Sequence, residues 1–118
     1  VTTEGIHFIS YADYIVFCEL QLANSFSIDI SDVVNIESLN KKFAELMDIN
    51  YYGDNFDSML EILTDREVIP GSYIISILNS ANIWCSNLEL MGGFMECLVA
   101  VCSENCSHNL ASHFIFVR

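Results

Sequence analysis

Tyr51-Tyr52-Gly53-Asp54-Asn55-Phe56-Asp57-Ser58-Met59-Leu60-Glu61-Ile62-Leu63-Thr64 is the stretch on which the reading of this chain turns, and Asp65-Arg66-Glu67 follows it directly. Its apolar residues recur at spacings of three and four, which predicts a helix from about Asn55 to Thr64. A turn is expected before it at Tyr51-Tyr52-Gly53, where glycine supplies backbone freedom. At about 100° per residue, Phe56, Met59, Leu60 and Leu63 share one side, while Asp54, Asp57, Glu61 and Asp65 fall within about 80° on the other. Between Asp48 and Glu67 stand six of the chain's sixteen acids and a single base, Arg66. Like charges at i,i+4 cost a helix about 0.2–0.5 kcal/mol per pair. Acids in the first turn regain part of that from the helix dipole. Solvated helix faces normally interleave Lys for i,i+4 pairing, and this one does not. The plain reading is a solvated face of an acidic protein. An unpaired row of carboxylates is better explained by a basic partner that arrives to meet it.

The flanking sequence supplies a fold for this helix. Ser25 to Ile30 alternates, with Phe26, Ile28 and Ile30 on one face, as in a half-buried strand. Asn35 stands where it can cap a helix whose apolar positions are Ile36, Leu39, Phe43, Leu46 and Met47. Tyr73 to Leu78 reads as a strand covered on both faces. Leu88 to Ser103 reads as a largely buried helix, with Met91, Phe94, Leu98, Val101 and Cys102 on one stripe. His113 to Val117 reads as a closing strand. Strands separated by helices predict an α/β fold with a small parallel sheet, because parallel neighbours need crossovers. Ile6 to Leu20, interrupted at Ala12-Asp13, predicts an N-terminal β-hairpin at an edge of that sheet. At 118 residues the chain suits one domain, with residues 1–23 as an extension of 24–118.

The charge balance narrows the function. Sixteen acids face only Lys41, Lys42, Arg66 and Arg118, a formal net charge of −12. So few cations cannot grip a nucleic-acid backbone, and anionic membranes are disfavoured for the same reason. A basic protein partner is favoured, since complementary fields steer association. The 21 uncharged residues from Val68 to Leu88 include Pro70, Gly71 and seven Ser or Asn, so they read as a core strand with a loop rather than a membrane span. The first residues carry Glu4 and no basic segment, so no secretory signal is read there. With five cysteines, an odd number, a reduced cytoplasmic protein is expected.

Tyr51 to Thr64 resembles the barstar family of ribonuclease inhibitors: an aromatic pair, Gly, an acid, Asn, an apolar residue and Asp, then a second acid four positions on and Leu after that. The likeness extends less strongly over about Ser27 to Arg118, and residues 1–23 have no counterpart. The resemblance implies a small α/β inhibitor, without catalysis or cofactor, that plugs the active site of a basic microbial nuclease. It implies that Tyr51, Gly53, Asn55, Asp57 and Glu61 face the enzyme, flanked by Tyr52, Asp54 and Asp65, with a further acidic contact at Glu104 on the late helix. The family's second acid is Asp where Glu61 stands here, and Leu60 replaces a Trp. These departures imply a different cognate enzyme, not a different role. The cellular setting it implies is an immunity protein, the cytosolic antitoxin of a secreted or contact-delivered bacterial toxin.

Other chemistries compete. Asp57 and Glu61 could be an acid/base pair or Mg²⁺ ligands of a hydrolase, but His7, His108 and His113 stand at the two ends of the chain, far in sequence from them. Cys97, Cys102, Cys106 and His108 invite a zinc reading. Zinc motifs usually open with a close Cys pair in a turn, so buried, inert thiols are the better reading. Cys85, beside Trp84 in an expected loop, is the thiol expected to be exposed. His113 is expected to be a satisfied edge or core residue. A non-catalytic structural or oligomerisation subunit is the third class, and it would have no need of the carboxylate row.

Overall fold

The computed structural model describes residues 5–10, 24–50 and 53–117. Four strands and four helices follow one another there: β1 (Gly5–Ile9), β2 (Ser25–Asp29), α1 (Ile36–Leu46), α2 (Phe56–Thr64), β3 (Tyr73–Leu78), α3 (Ala81–Ser86), α4 (Leu88–Ser107) and β4 (Ser112–Val117). The sheet order is β1-β4-β3-β2, and every neighbouring pair is parallel. The parallel α/β architecture read from the sequence is the one observed.

Register explains the core. Ile28 pairs with Ile77, Ile75 with Phe114 and Ile77 with Phe116, so these side chains share one sheet face. Phe94 of α4 lies 6.0 Å from Phe43 of α1 and 5.9 Å from Phe116, ring centre to ring centre, tying both helices to the sheet. Phe43, Phe94, Phe114 and Phe116 are all within 1% of complete burial, each worth about 1.5–3 kcal/mol over exposure. Among the described residues, no helix is long and apolar enough to cross a membrane.

The helix ends are set by side chains. Asn35 Oδ1 accepts from Ser38 N at 2.8 Å and Ser38 Oγ accepts from Asn35 N at 3.0 Å, a reciprocal capping box at the start of α1. After α1, Asp48 takes φ 56°, and Ile49 N reaches back to Ala44 O at 2.8 Å. After α4, Asn109 takes φ 60°, and Leu110 N reaches Asn105 O at 2.9 Å. Both are left-handed stops, for which Asn and Asp are the tolerant non-glycine residues.

The structure corrects several expectations. Trp84 and Cys85 lie in the short helix α3, not in a loop, and α4 runs to Ser107 rather than Ser103. The first strand of the expected hairpin is β1, at the sheet edge and parallel to β4. The hairpin's second strand lies outside the described residues, as does the turn at Tyr51 and Tyr52. Of the thiols expected to be buried, only Cys97 is; Cys102 is half-buried and Cys106 is exposed. The expected exposure of Cys85 is observed.

Candidate functional site

Helix α2 begins where its sequence offers the best cap. Asn55 Oδ1 accepts from Ser58 N at 2.9 Å and from Ser58 Oγ at 3.1 Å, a cap worth about 1 kcal/mol over Ala. Met59, Ile62 and Leu63 turn inward, while Asp57 and Glu61 are exposed. One helical turn separates the two carboxylates, and Asp57 stands in the first turn, where the helix dipole favours it.

The expected row of four acids shortens to two. Asp54 precedes the Asn55 cap and is not helical. Asp65 ends the helix with ψ 111°, and its Oδ1 accepts from Glu67 N at 2.9 Å. Both ends leave the helical line for one reason: capping chemistry takes the backbone out of the helix before the periodicity runs out. Asp54 and Asp65 remain exposed on either side of the helix.

No cation neutralises this surface among the described residues. Lys42 Nζ pairs with Asp32 Oδ1 at 3.0 Å, and Arg66 Nη1 donates to Thr64 O at 3.3 Å. Lys42 holds the Asp32 carboxyl below the usual carboxylate range by a direct hydrogen bond, and its own ammonium is raised in return. The Asp57 charge is felt inside the protein. Burial, and secondarily Asp57, push the Cys97 thiol up to about 11.

Clefts border the acidic helix. One of about 640 Å³ opens where α1, α2 and α4 begin, with Glu37, Asp54, Phe56, Glu89 and Glu96 among its lining residues. Another, of about 180 Å³, includes Gly53, Ser58, Glu61 and Asp65.

Two neighbours hold the helix in place. From α1, the fully buried Asn40 donates Nδ2 to Gly53 O at 2.9 Å and to Asn55 O at 2.8 Å. Its Oδ1 has no hydrogen-bond partner among the described residues. Asn40 was not among the residues expected at the site, although its position in the sequence carries a signal. Relative to Ile36 it falls at about 40°, between the buried Phe43 and Ala44 on the inner side of α1, and a polar residue on an apolar face needs a partner.

From α4, Cys97 Sγ donates to Phe56 O at 3.6 Å, and Asn105 Nδ2 to Leu63 O at 3.4 Å. The two helices therefore run side by side in the same direction. Gly93 makes this possible, since a Cβ there would stand 2.4 Å from Phe56 Cε2. At the far end Tyr73 Oη donates to Leu63 O at 2.7 Å and accepts from Asn105 Nδ2 at 3.2 Å. Glu104 is exposed, seven residues beyond Cys97 and so about 20° from it around α4. That places it level with the end of α2, about 10 Å along the axis from Cys97, with Oε1 3.3 Å from His108 Nε2.

The structure thus joins Gly53, Asn55, Asp57 and Glu61 into one unit and sets Asp54, Asp65 and Glu104 around it. Tyr51 and Tyr52 lie outside the described residues. The histidines stand with other partners: His7 Nε2 lies 3.3 Å from His113 Nδ1 across β1 and β4, and His108 faces Glu104. Among the described residues, no group of three or more His, Cys, Asp or Glu is placed to hold a metal ion.

A family model described as barstar (barnase inhibitor) matches residues 23–116. The chain belongs to the barstar family. The match spans everything described except residues 5–10 and Val117, so in this barstar-family protein the edge strand β1 precedes the matched region. Among curated proteins, none matches the chain. Membership makes it a protein of the ribonuclease-inhibitor type, whose members are inhibitors and not enzymes.

Proposed function

We propose that this barstar-family protein inhibits a basic toxin ribonuclease by laying α2 over its active site, and that it serves as a cytoplasmic immunity protein for the cell that makes the toxin. The observation that carries this reading is the Asp57–Glu61 pair: exposed and without a cation beside it among the described residues, on a helix fastened at both ends. Ribonuclease sites hold phosphates with Arg, Lys and His. Two carboxylates one turn apart on a rigid helix can imitate consecutive phosphates and form charge-assisted hydrogen bonds with guanidinium groups. The net charge of −12 extends the attraction beyond contact range and speeds encounter.

The remaining residues have supporting roles in this reading. The Asn55 oxygen is committed to its cap, which leaves its amide NH₂ to donate to the enzyme. Gly53 offers backbone without a side chain in the way. Asp54 and Asp65, each lining a cleft beside α2, receive cationic side chains at the margin of the contact. Glu104 adds an acid from α4, and Tyr51 and Tyr52 supply flat aromatic anchors.

The test is a pull-down from the producing organism at low and high salt, with wild-type protein as bait and the Asp57→Ala/Glu61→Ala variant as control. Wild type alone should capture a basic ribonuclease, identified by mass spectrometry and by RNA cleavage, and capture should weaken with salt. Equal capture by both baits moves the interface off α2. Capture of no ribonuclease by wild type rejects the proposed function.

A further inference from the structure

We propose that Asn40, which lies on α1 and outside the contact surface, is the positioning residue of the inhibitory face: its buried amide fixes the Gly53–Asn55 loop in the shape that presents Asp57 and Glu61. The consequence for binding rests on the ribonuclease-inhibitor reading; the ordering of the loop does not.

Asn40 occupies a place where an apolar residue would be the stable choice. It is 0% exposed, on the apolar stripe of α1. Only the amide nitrogen can face two carbonyl oxygens, so the bonds to Gly53 O and Asn55 O fix its orientation and leave Oδ1 inward, unpaired among the described residues. A buried amide is a costlier core element than a hydrocarbon, because it must be desolvated and each of its polar atoms needs a partner. Its return is geometric. The two acceptors flank Asp54, so one side chain fixes the backbone on both sides of it. Asn55, so held, caps α2, and Asp57 follows two residues later. A loop ordered before the partner arrives spares the ordering cost at binding.

The test compares wild type with Asn40→Leu, which keeps the branching of the side chain and removes its N–H donors and its oxygen. Asn40→Ala serves as the second variant should Leu fail to fold. Backbone ¹⁵N order parameters of the free protein at Gly53–Asn55 should drop from the rigid range near about 0.85 to below about 0.6, with the sheet unchanged. Affinity for barnase, used as the probe ribonuclease, should fall at least about tenfold, a change of about 1.4 kcal/mol, and by more than any loss of stability read from the urea midpoint. Unchanged order parameters in a folded variant would overturn the proposal, as would a loss of affinity no larger than the loss of stability. If wild-type protein leaves barnase uninhibited, the order parameters alone decide the role of Asn40. They do so without reference to the inhibitor reading.

Discussion

Gly93→Ala probes the joint between α2 and α4. A Cβ at this position would lie 2.4 Å from Phe56 Cε2 and 3.0 Å from Phe56 Cζ. Carbon atoms pack at about 3.5–4.0 Å, so the Phe56 ring must move away by about 1.1–1.6 Å. Phe56 is the first residue of α2, and its carbonyl accepts from the buried Cys97 thiol. The ring therefore cannot swing without disturbing the helix start beside Asp57. Overpacking of this kind costs about 1–3 kcal/mol. The better helix propensity of Ala returns about 1 kcal/mol at most. Equilibrium urea unfolding is the assay. The net loss is then up to about 2 kcal/mol, which with a slope of about 1.5 kcal/mol/M lowers the midpoint by up to about 1.3 M. Phe56→Leu alone should cost stability by removing ring contacts, yet in the Gly93→Ala background it should cost less or nothing, because it makes room. A coupling of about 0.5–3 kcal/mol between the two sites is expected. A Gly93→Ala protein clearly more stable than wild type, or two strictly additive substitutions, would refute the close approach of the two helices.

Other predictions address separate parts of the molecule. Tyr73→Phe removes the hydroxyl that joins Leu63 O to Asn105 and should cost about 1–3 kcal/mol in urea unfolding. Burial holds the Cys97 thiol near 11, so iodoacetamide at about pH 8, read by peptide mass mapping, should label the exposed Cys85 and leave Cys97 unmodified until the protein unfolds. The Asp32 carboxyl is lowered in the folded state, so its pair with Lys42 stabilises above the unfolded value and fades as pH falls through the folded one. The stability difference between wild type and Asp32→Asn should therefore be present at pH 7 in low salt and shrink as the pH falls below the ordinary carboxylate range.

What was legible in the sequence was whatever depends on local chemistry. The capped start of α1 at Asn35, the inward stripe of α2 and the buried runs of β3 and β4 each declare themselves within a few residues. The sheet follows, because parallel strands cannot be joined without helices. Less legible were features set by contacts distant along the chain. Helix α3 hides in a run of Asn, Ser and Cys with no side-chain cap, and Trp84 is held by Phe8 and Phe116, 6.3 and 6.2 Å away. The C-terminal extension of α4 is polar outside, but Asn105 is buried against Tyr73 and Ser112 from strands that the local pattern cannot anticipate. Within the site, Asp57 and Glu61 were readable from spacing alone. Asp54 and Asp65 were misplaced because capping overrides periodicity, and Asn40 was missed because its partners lie 13 and 15 residues further on.

The central claim is that Asp57 and Glu61 are what the ribonuclease binds. Its most direct test is the affinity of wild-type, Asp57→Ala and Glu61→Ala proteins for the captured ribonuclease, each variant first checked for native unfolding behaviour. Each substitution should weaken binding by about 2–5 kcal/mol, roughly thirtyfold to several thousandfold, because it leaves a buried cation of the enzyme without its carboxylate. Undiminished affinity in both folded variants would contradict the account.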